Sequence, residues 1–223
     1  MTIVALSAAY GAAGSQIGPA LAERLGVPFV DRGIALAVAE RLEVPVREAL
    51  ANEEPPAAGS SSLLERLLSG FVGAYTGAPA PLPADAVTPA DFHQASREAL
   101  LSQAATGRGV ILGRGACAAL RHDPQVLRIR LSGPEHRRIE HAMRVRDIDR
   151  DTSERTVRAL DRAHADYLRQ FYDADIDDPA LYHLTIDATA FDTDVCVAII
   201  VVALEAMISA GGPSGAAAGG ASP

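Results

Sequence analysis

The chain of 223 residues contains no lysine and no tryptophan, and all 20 of its basic residues are arginines. The absence of lysine excludes a lysine general base, a Schiff base and the lysine of a typical phosphate-binding loop. Acidic residues outnumber basic ones, and the formal net charge of −8 argues against general binding to nucleic acid.

Cysteine is also scarce, because only Cys117 and Cys196 are present and neither belongs to a Cys-x-x-Cys pair. Their isolation predicts two buried apolar thiols rather than a disulfide or a metal site. No signal peptide is expected, because Thr2 leads directly into strand-like sequence. The apolar run at residues 195–208 contains Glu205 and is expected to be too short to span a bilayer. We therefore expect a cytoplasmic protein without a membrane partner.

The most informative stretch is residues 2–31, TIVALSAAYGAAGSQIGPALAERLGVPFVD. A short apolar run at 3–6 is followed by a small-residue loop at 7–14, an amphipathic helix and a second apolar run at 27–30. This order predicts the opening strand–helix–strand unit of a parallel sheet. The loop presents main-chain N–H groups at the positive end of a helix dipole, so the stretch favours phosphate binding.

Apolar runs and helix-like segments alternate through the rest of the chain. Further strands are predicted at residues 110–112, 126–131 and 184–186. Helices are predicted at 32–42, 63–72, 91–105 and 192–208, and two successive helices at 134–172 with an interruption near 147–152. About five short strands separated by helices predict an α/β sheet. Arg128 and Arg130 alternate with apolar residues, which predicts an edge strand. The last helix is expected to bury Val195, Ala198, Ile199, Val202 and Ala206.

The loop after the first strand fits the pattern GxxxxGK[ST] poorly. The fit places Ala8 and Ala13 at the glycine positions, Gly14 at the lysine and Ser15 at the hydroxyl, so that only Ser15 matches. The small residues still permit close approach of the backbone to a phosphate. Phosphate binding and a tight turn that serves only packing both remain open.

A dinucleotide-binding interpretation also remains open on the residues alone. Asp31 lies 20 residues after Gly11, where a ribose-binding acid would stand. Against it, Gly11, Gly14 and Gly18 do not form the pattern GxGxxG.

Four blocks of sequence, in order along the chain, resemble the cytidylate kinase-like family, a branch of the nucleoside monophosphate kinases. They are YGAAGSQIGPALAERLGVPFVDR (10–32), VILGRGA (110–116), LRIRLSGPEHRRI (127–139) and LDRAHADYLRQFYDADIDDPALYHLTID (160–187). The resemblance implies a three-layer P-loop kinase fold whose five-stranded parallel sheet has helices on both faces. It also implies transfer of the γ-phosphoryl group of ATP to CMP or dCMP, with Mg²⁺.

The resemblance implies a single domain over residues 1–210, with a monophosphate-binding insertion at 52–89 and an arginine-rich lid at about 140–172. The Gly/Ala/Ser/Pro segment at 211–223 is expected to be a disordered tail. The expected partners are ATP and CMP or dCMP, without nucleic acid, and a homodimer is left open.

The resemblance also implies roles for individual residues. The nucleotide-binding loop would comprise Gly11, Ala12, Ala13, Gly14, Ser15 and Gln16, with the Ser15 hydroxyl on Mg²⁺. Acceptor-binding residues would be Asp31, Arg114 and Asp161, and catalytic arginines would be Arg138, Arg158 and Arg162. Structural alternatives stand beside these roles: Asp31 could cap a helix, and Arg114 could form an ion pair.

The lid pattern D-x-x-R-x-x-Y is matched by Asp161 and Tyr167, but His164 replaces the arginine. A neutral imidazole offers one donor where a guanidinium offers five, so a weaker grip on phosphate is expected. Arg158 and Arg162 lie one helical turn apart, and either could supply the missing charge or simply pair with neighbouring acids. The sequence therefore predicts either an active kinase or a nucleotide-binding or regulatory protein that kept the kinase fold.

Overall fold

The computed structural model describes residues 2–30, 89–113 and 115–211. The two predicted acceptor residues Asp31 and Arg114 lie outside these ranges. So do the helices predicted at 32–42 and 63–72, almost all of the insertion predicted at 52–89, and the tail beyond residue 211.

A parallel sheet of five strands forms the centre of the described structure, as the resemblance implies. The strands are β1 (Thr2–Ala8), β2 (Phe29–Val30), β3 (Arg108–Leu112), β4 (Val126–Ser132) and β5 (Leu184–Asp187). Their spatial order is β2-β3-β1-β4-β5. Because the chain adds strands first on one side of β1 and then on the other, the carboxyl end of β1 lies where ligands commonly bind in open α/β sheets.

Helices cover both faces of this sheet. They are α1 (Gly14–Leu25), α2 (Pro89–Ala105), α3 (Ala116–Ala119), α4 (Glu135–Arg146), α5 (Arg150–Tyr172) and α6 (Thr193–Gly211). The interruption predicted within residues 134–172 is confirmed. α4 ends at Arg146 and is followed by Asp147, whose φ is 53°, and the Asp149 side chain caps α5 by accepting from Thr152 N at 2.9 Å.

Two apolar cores result, one on each face of the sheet. On one face Leu6, Ile129 and Leu131 pack with α1 and α6, and on the other face Ala5 and Ile111 pack with α2, α3 and α5. Successive residues of a strand point to opposite faces, so the two cores alternate along β1 and β4.

The predicted edge position of the strand that carries Arg128 and Arg130 is wrong. β4 lies between β1 and β5 and pairs with both. Arg128 is 7% exposed and Arg130 is 9% exposed. Alternation of charged and apolar residues shows which face each side chain takes, but it carries no information on how many neighbours the strand has.

The predicted phase of the last helix is also wrong, except at Ile199, which is half-buried against the core. The side chains that pack inward are Cys196, Val197, Ile200, Val201 and Leu204. Val195 and Val202, expected inside, are 44% and 65% exposed. A helix that is apolar on nearly all sides has no periodic signal, so packing against α1 sets its orientation.

Residues 193–210 of α6 are also long and apolar enough to cross a membrane, by length and composition alone. This corrects the expectation that the apolar run is too short. The cysteine prediction is confirmed, since Cys117 and Cys196 are both free and buried.

The orientation of α6 can be checked with two truncations on the same helix. Ile200 is fully buried, so Ile200→Ala should lower the free energy of unfolding by about 2–5 kcal/mol. Val202→Ala removes an exposed side chain and should change it by less than about 0.5 kcal/mol. Equal losses in urea unfolding of the two variants would show that the helix is oriented differently.

Candidate functional site

A tight loop, residues 9–13, connects the carboxyl end of β1 to α1. Ala9 N donates to Leu131 O at 2.9 Å, and Ala12 N donates to Ala9 O at 3.0 Å. Gly11 has φ of 80° and Ala13 has φ of 55°, both in the left-handed region. Left-handed residues in such a turn direct successive N–H groups toward a common point, which makes a concave anion-binding surface.

The N–H groups around this point have few partners within the protein. Ala13 is the N-cap residue of α1, and no side chain caps this helix. Among the residues that the structure describes, no acceptor is found for the N–H groups of Gly11, Ala13, Gly14 and Ser15. Four such donors at a helix N-terminus suit the oxygens of a phosphate.

Packing explains why glycine stands where a typical loop has lysine. A Cβ built on Gly14 would lie only 2.5 Å from the Cβ of Ala8. The start of α1 therefore rests directly on the end of β1, and no side chain fits between them. Positive charge for a bound phosphate must come from another part of the chain.

Arg138, predicted to be catalytic, lies beside this loop but is bound to protein groups. Its Nε donates to Gly133 O at 3.0 Å, and its Nη1 donates to Tyr10 O at 2.9 Å. The same Nη1 forms a salt bridge with Asp161 Oδ2 at 2.8 Å, and Tyr10 N donates to Asp161 Oδ1 at 3.3 Å. Arg138 and Asp161 thus clamp the main chain of Tyr10 from both sides.

The α4 helix also contacts Gly11, the loop residue that follows Tyr10. The main-chain carbonyl of Arg138 lies where a Cβ of Gly11 would stand, so that only glycine fits there. His141 donates a hydrogen bond to the backbone of Gly11, which partly offsets the lowering of the His141 pKa by burial and by Arg144. The clamp and this contact join the predicted lid, α4 and α5, to the loop.

The other two predicted catalytic arginines are not brought to the loop by any contact. Arg158 Nε binds Glu135 Oε1 at 2.8 Å, and its Nη2 lies 3.8 Å from Glu154 Oε2. Arg162 is exposed and forms no ion pair with any residue in the described part of the chain. Arg158 thus has the ion pairs that the structural alternative predicts.

Sequence reasoning missed Arg130, which also reaches this edge of the sheet. Its Nη1 donates to Ser7 Oγ at 2.8 Å, and Ser7 is the second-last residue of β1. Burial and the charge of Arg130 lower the pKa of His164 of α5, whereas Asp161 raises it. A charged residue in an interior strand was the signal, and the edge assignment concealed it.

Tyr167, which matches the lid pattern, belongs to an aromatic group formed between α2 and α5. Its hydroxyl lies 3.2 Å from His93 Nδ1 of α2, and the His93 ring stacks on Phe171 with centroids 4.3 Å apart. A Cβ on Gly115 would clash with the Tyr172 ring, so this group packs closely against the segment after β3.

Protein ligands for a metal are few at this site. Within residues 2–30, 89–113 and 115–211, no group of three or more His, Cys, Asp or Glu side chains is placed to hold a metal ion. The Ser15 side chain is exposed at the start of α1, and Asp161 is engaged by Arg138 and Tyr10. A Mg²⁺ ion here would take the Ser15 hydroxyl and otherwise depend on nucleotide phosphates and water.

Comparison with known proteins agrees with this geometry. Residues 3–190 match the cytidylate kinase-like family, and no curated protein matches the chain. An uncharacterized protein from Eubacterium ventriosum is similar in structure, with 15% identity, a TM-score of 0.63, and coverage of 92% of this chain and 99% of that one. A shikimate kinase from Bacteroides thetaiotaomicron has 15% identity, a TM-score of 0.50, and coverage of 92% and 98%. These likenesses show the fold.

The clamp on Tyr10 leads to a stability prediction. Arg138→Met leaves Asp161 and two main-chain carbonyls without their donor, so it should lower the free energy of unfolding by roughly 3 kcal/mol. Its neighbour Arg137 is exposed and lies 3.7 Å from Asp187, so Arg137→Met should cost less than about 1 kcal/mol. Similar losses for the two variants in urea unfolding would contradict the clamp.

The lowered pKa of His164 predicts a pH dependence of stability. In the unfolded chain its pKa is about 6.5, so as the pH falls the unfolded chain takes up the proton first. The contribution of neutral His164 is complete above about pH 6.5 and is lost as the pH falls toward the folded-state pKa. In His164→Gln, the free energy of unfolding should therefore depend less on pH between about 7.5 and 5. Urea unfolding at intervals of about one pH unit or less measures this dependence.

The comparison with wild type isolates His164, because His93, His141 and His183 have pKa values lowered in the same direction and remain in both proteins. Parallel profiles for the two proteins would mean that His164 titrates alike in the folded and unfolded chains.

Proposed function

The chain belongs to the cytidylate kinase-like family, and on this premise we propose that it is an ATP-dependent nucleoside monophosphate kinase that phosphorylates CMP or dCMP. The observation that carries the proposal is the left-handed loop before α1, with four main-chain N–H groups that have no acceptor among the described residues. In an alternative function, the protein binds nucleotide but does not catalyse phosphoryl transfer efficiently.

In the proposed reaction the loop holds the ATP phosphates through its main chain. The N–H groups of Gly11, Ala13, Gly14 and Ser15 would donate to phosphate oxygens, and the dipole of α1 adds positive potential at the same point. Arg138 and Asp161 act as positioning residues, because they hold Tyr10 and thereby the shape of the loop. Preorganised donors of this kind stabilise charge without reorganising during the reaction.

Mg²⁺ is proposed to accompany ATP, with Ser15 as its protein ligand. When bound, the ion neutralises charge that develops on the transferring phosphoryl group. No lysine is available for the same task, so the rest of the positive charge must come from arginines.

The alternative function is that of a nucleotide-binding or regulatory protein with impaired catalysis. Arg138 favours it, because its guanidinium is engaged by Gly133, Tyr10 and Asp161 instead of facing outward. Replacement of the lid arginine by His164 points in the same direction. The two functions share the loop and differ in whether arginines can reach the transferring group.

Turnover and binding measured side by side separate these functions. In a coupled assay for ADP release, we expect turnover with CMP or dCMP in preference to other nucleoside monophosphates, and dependence on Mg²⁺. Ser15→Ala should lower kcat by roughly tenfold or more, since a polar contact to the ion is lost. The exposed Glu23→Ala variant, also on α1, is the matched control and should keep wild-type activity.

Calorimetry with a nonhydrolysable ATP analogue completes the test. Binding without turnover on any monophosphate would favour the regulatory alternative. The absence of both binding and turnover would contradict both functions. It would favour the interpretation that the loop is a tight turn that serves only packing.

A further inference from the structure

Arg130 has an unusual environment for a buried cation. It is 9% exposed and pairs in register with Ser7 of β1, to whose Oγ its Nη1 donates at 2.8 Å. No carboxylate of the described residues lies within ion-pair distance of it. A guanidinium has five N–H donors, so most of its donors have no protein acceptor in this part of the chain.

The groups around Arg130 are electrically neutral at pH 7. Burial raises the pKa of Cys117 to about 12, and burial also raises the pKa of Tyr182. Burial and the charge of Arg130 itself lower the pKa of His164, whereas the carboxylate of Asp161, which is paired with Arg138, raises it. Because a thiol, a phenol, an imidazole and the Ser7 hydroxyl carry no charge, none of them compensates the guanidinium, and burial of an uncompensated charge is costly.

The other buried arginines are partnered differently. Arg138 has the carboxylate of Asp161 and two main-chain carbonyls. Arg128 donates to Leu181 O at 2.9 Å and is influenced by the charge of Asp123. Arg130 therefore lacks the carboxylate partner of Arg138, and unlike Arg128 it donates to a hydroxyl near the carboxyl end of β1.

The position of Arg130 is suited to a ligand. It stands near the carboxyl end of β4, and its partner Ser7 precedes Tyr10 of the loop by three residues. Ser7 points to the same face of the sheet as Ala5, which is the face covered by α2, α3 and α5, whereas α1 covers the other face. An anion on Arg130 would therefore lie at the same sheet edge as the loop, but on the opposite side of β1 from α1.

We propose that Arg130, with the Ser7 hydroxyl, binds the phosphate group of the acceptor nucleotide and selects for an anionic acceptor. This inference rests on the proposed kinase function. Arg130 donates to nonbridging phosphate oxygens through its free N–H groups, and the anion supplies the counter-charge that the protein lacks. Charge-assisted hydrogen bonds of this fork geometry are specific for phosphate and carboxylate.

Binding of CMP and of cytidine tests the phosphate contact directly, because the two ligands differ only in the phosphate. Calorimetry at constant ionic strength should show that Arg130→Met weakens CMP binding by about tenfold or more. It should leave the affinities for cytidine and for a nonhydrolysable ATP analogue within about twofold. Arg130→Lys, which keeps the charge but not the fork, should fall between wild type and Arg130→Met.

Arg169→Met is the matched control for the loss of one positive charge. Arg169 is exposed, and among the described residues it pairs only with Asp166, at 3.1 Å, so this variant should bind CMP like wild type. Equal CMP affinity in wild type and Arg130→Met would overturn the inference. A parallel loss of cytidine and CMP binding would overturn it as well, since the effect would then not concern the phosphate.

Stability without ligand provides a second readout. Arg130→Met should keep or raise the Tm, because it removes a buried charge that has no counter-ion. It should also reduce the rise in Tm caused by inorganic phosphate to the part that comes from the loop before α1. A purely structural role of the Ser7 contact predicts the opposite, a lower Tm with the phosphate effect intact. Failure of this variant to fold would likewise show a structural role and overturn the inference.

The outcomes also separate this inference from the proposed function. If wild type does not bind the ATP analogue, the proposed function fails, whereas the comparison of inorganic phosphate on wild type and Arg130→Met still decides the role of Arg130. If the analogue binds and CMP affinity is unaffected by Arg130→Met, only the present inference fails.

Discussion

The clamp that Arg138 and Asp161 place on Tyr10 is the interaction on which the rest of the site depends. Both main-chain polar groups of Tyr10 are bound by this ion pair, at 2.9 and 3.3 Å. Since Arg138 belongs to α4 and Asp161 to α5, the clamp holds the loop after β1 and the two long helices together. The left-handed turn at Gly11 and Ala13 follows at once in the chain, so its conformation is supported by a contact with distant segments.

The absence of lysine determines how positive charge is supplied. A typical phosphate loop carries its own cation, but here the close approach of Gly14 to Ala8 leaves no room for a side chain at that position. Two buried guanidiniums lie on other elements of the described structure, Arg138 on α4 and Arg130 on β4. The two have different surroundings: the first is neutralised by Asp161, whereas the second has no carboxylate within ion-pair distance in the described part of the chain.

His164 stands where the lid pattern has an arginine, and the structure shows the surroundings of this residue. The imidazole is held neutral by burial and by Arg130, so it cannot replace the charge of an arginine, but a guanidinium from β4 stands nearby. In the proposal above, positive potential at this edge of the sheet comes from a strand residue, Arg130, in a sheet interior where a charge is rarely found.

Much of the fold could be predicted from the sequence, because its signals are local. The alternation of apolar runs with helix-like segments predicts an α/β sheet, and the small-residue loop before α1 predicts a phosphate-binding turn. The break between α4 and α5 follows from polar residues that cap helices, and it appears at Asp147 and Asp149. Such features depend on neighbours in the chain, so they can be predicted without knowledge of the tertiary structure.

What the sequence by itself determined about this protein is its strand and helix order, the absence of any lysine chemistry and the location of the loop. Only the tertiary structure decided that β4 is an interior strand, that α6 turns Ile200 and not Val202 inward, and that Arg138 is held by Tyr10 and Asp161. The reason is physical: strand neighbours, helix orientation and ion pairs depend on contacts between residues far apart in the chain. No local pattern of residue types encodes these contacts.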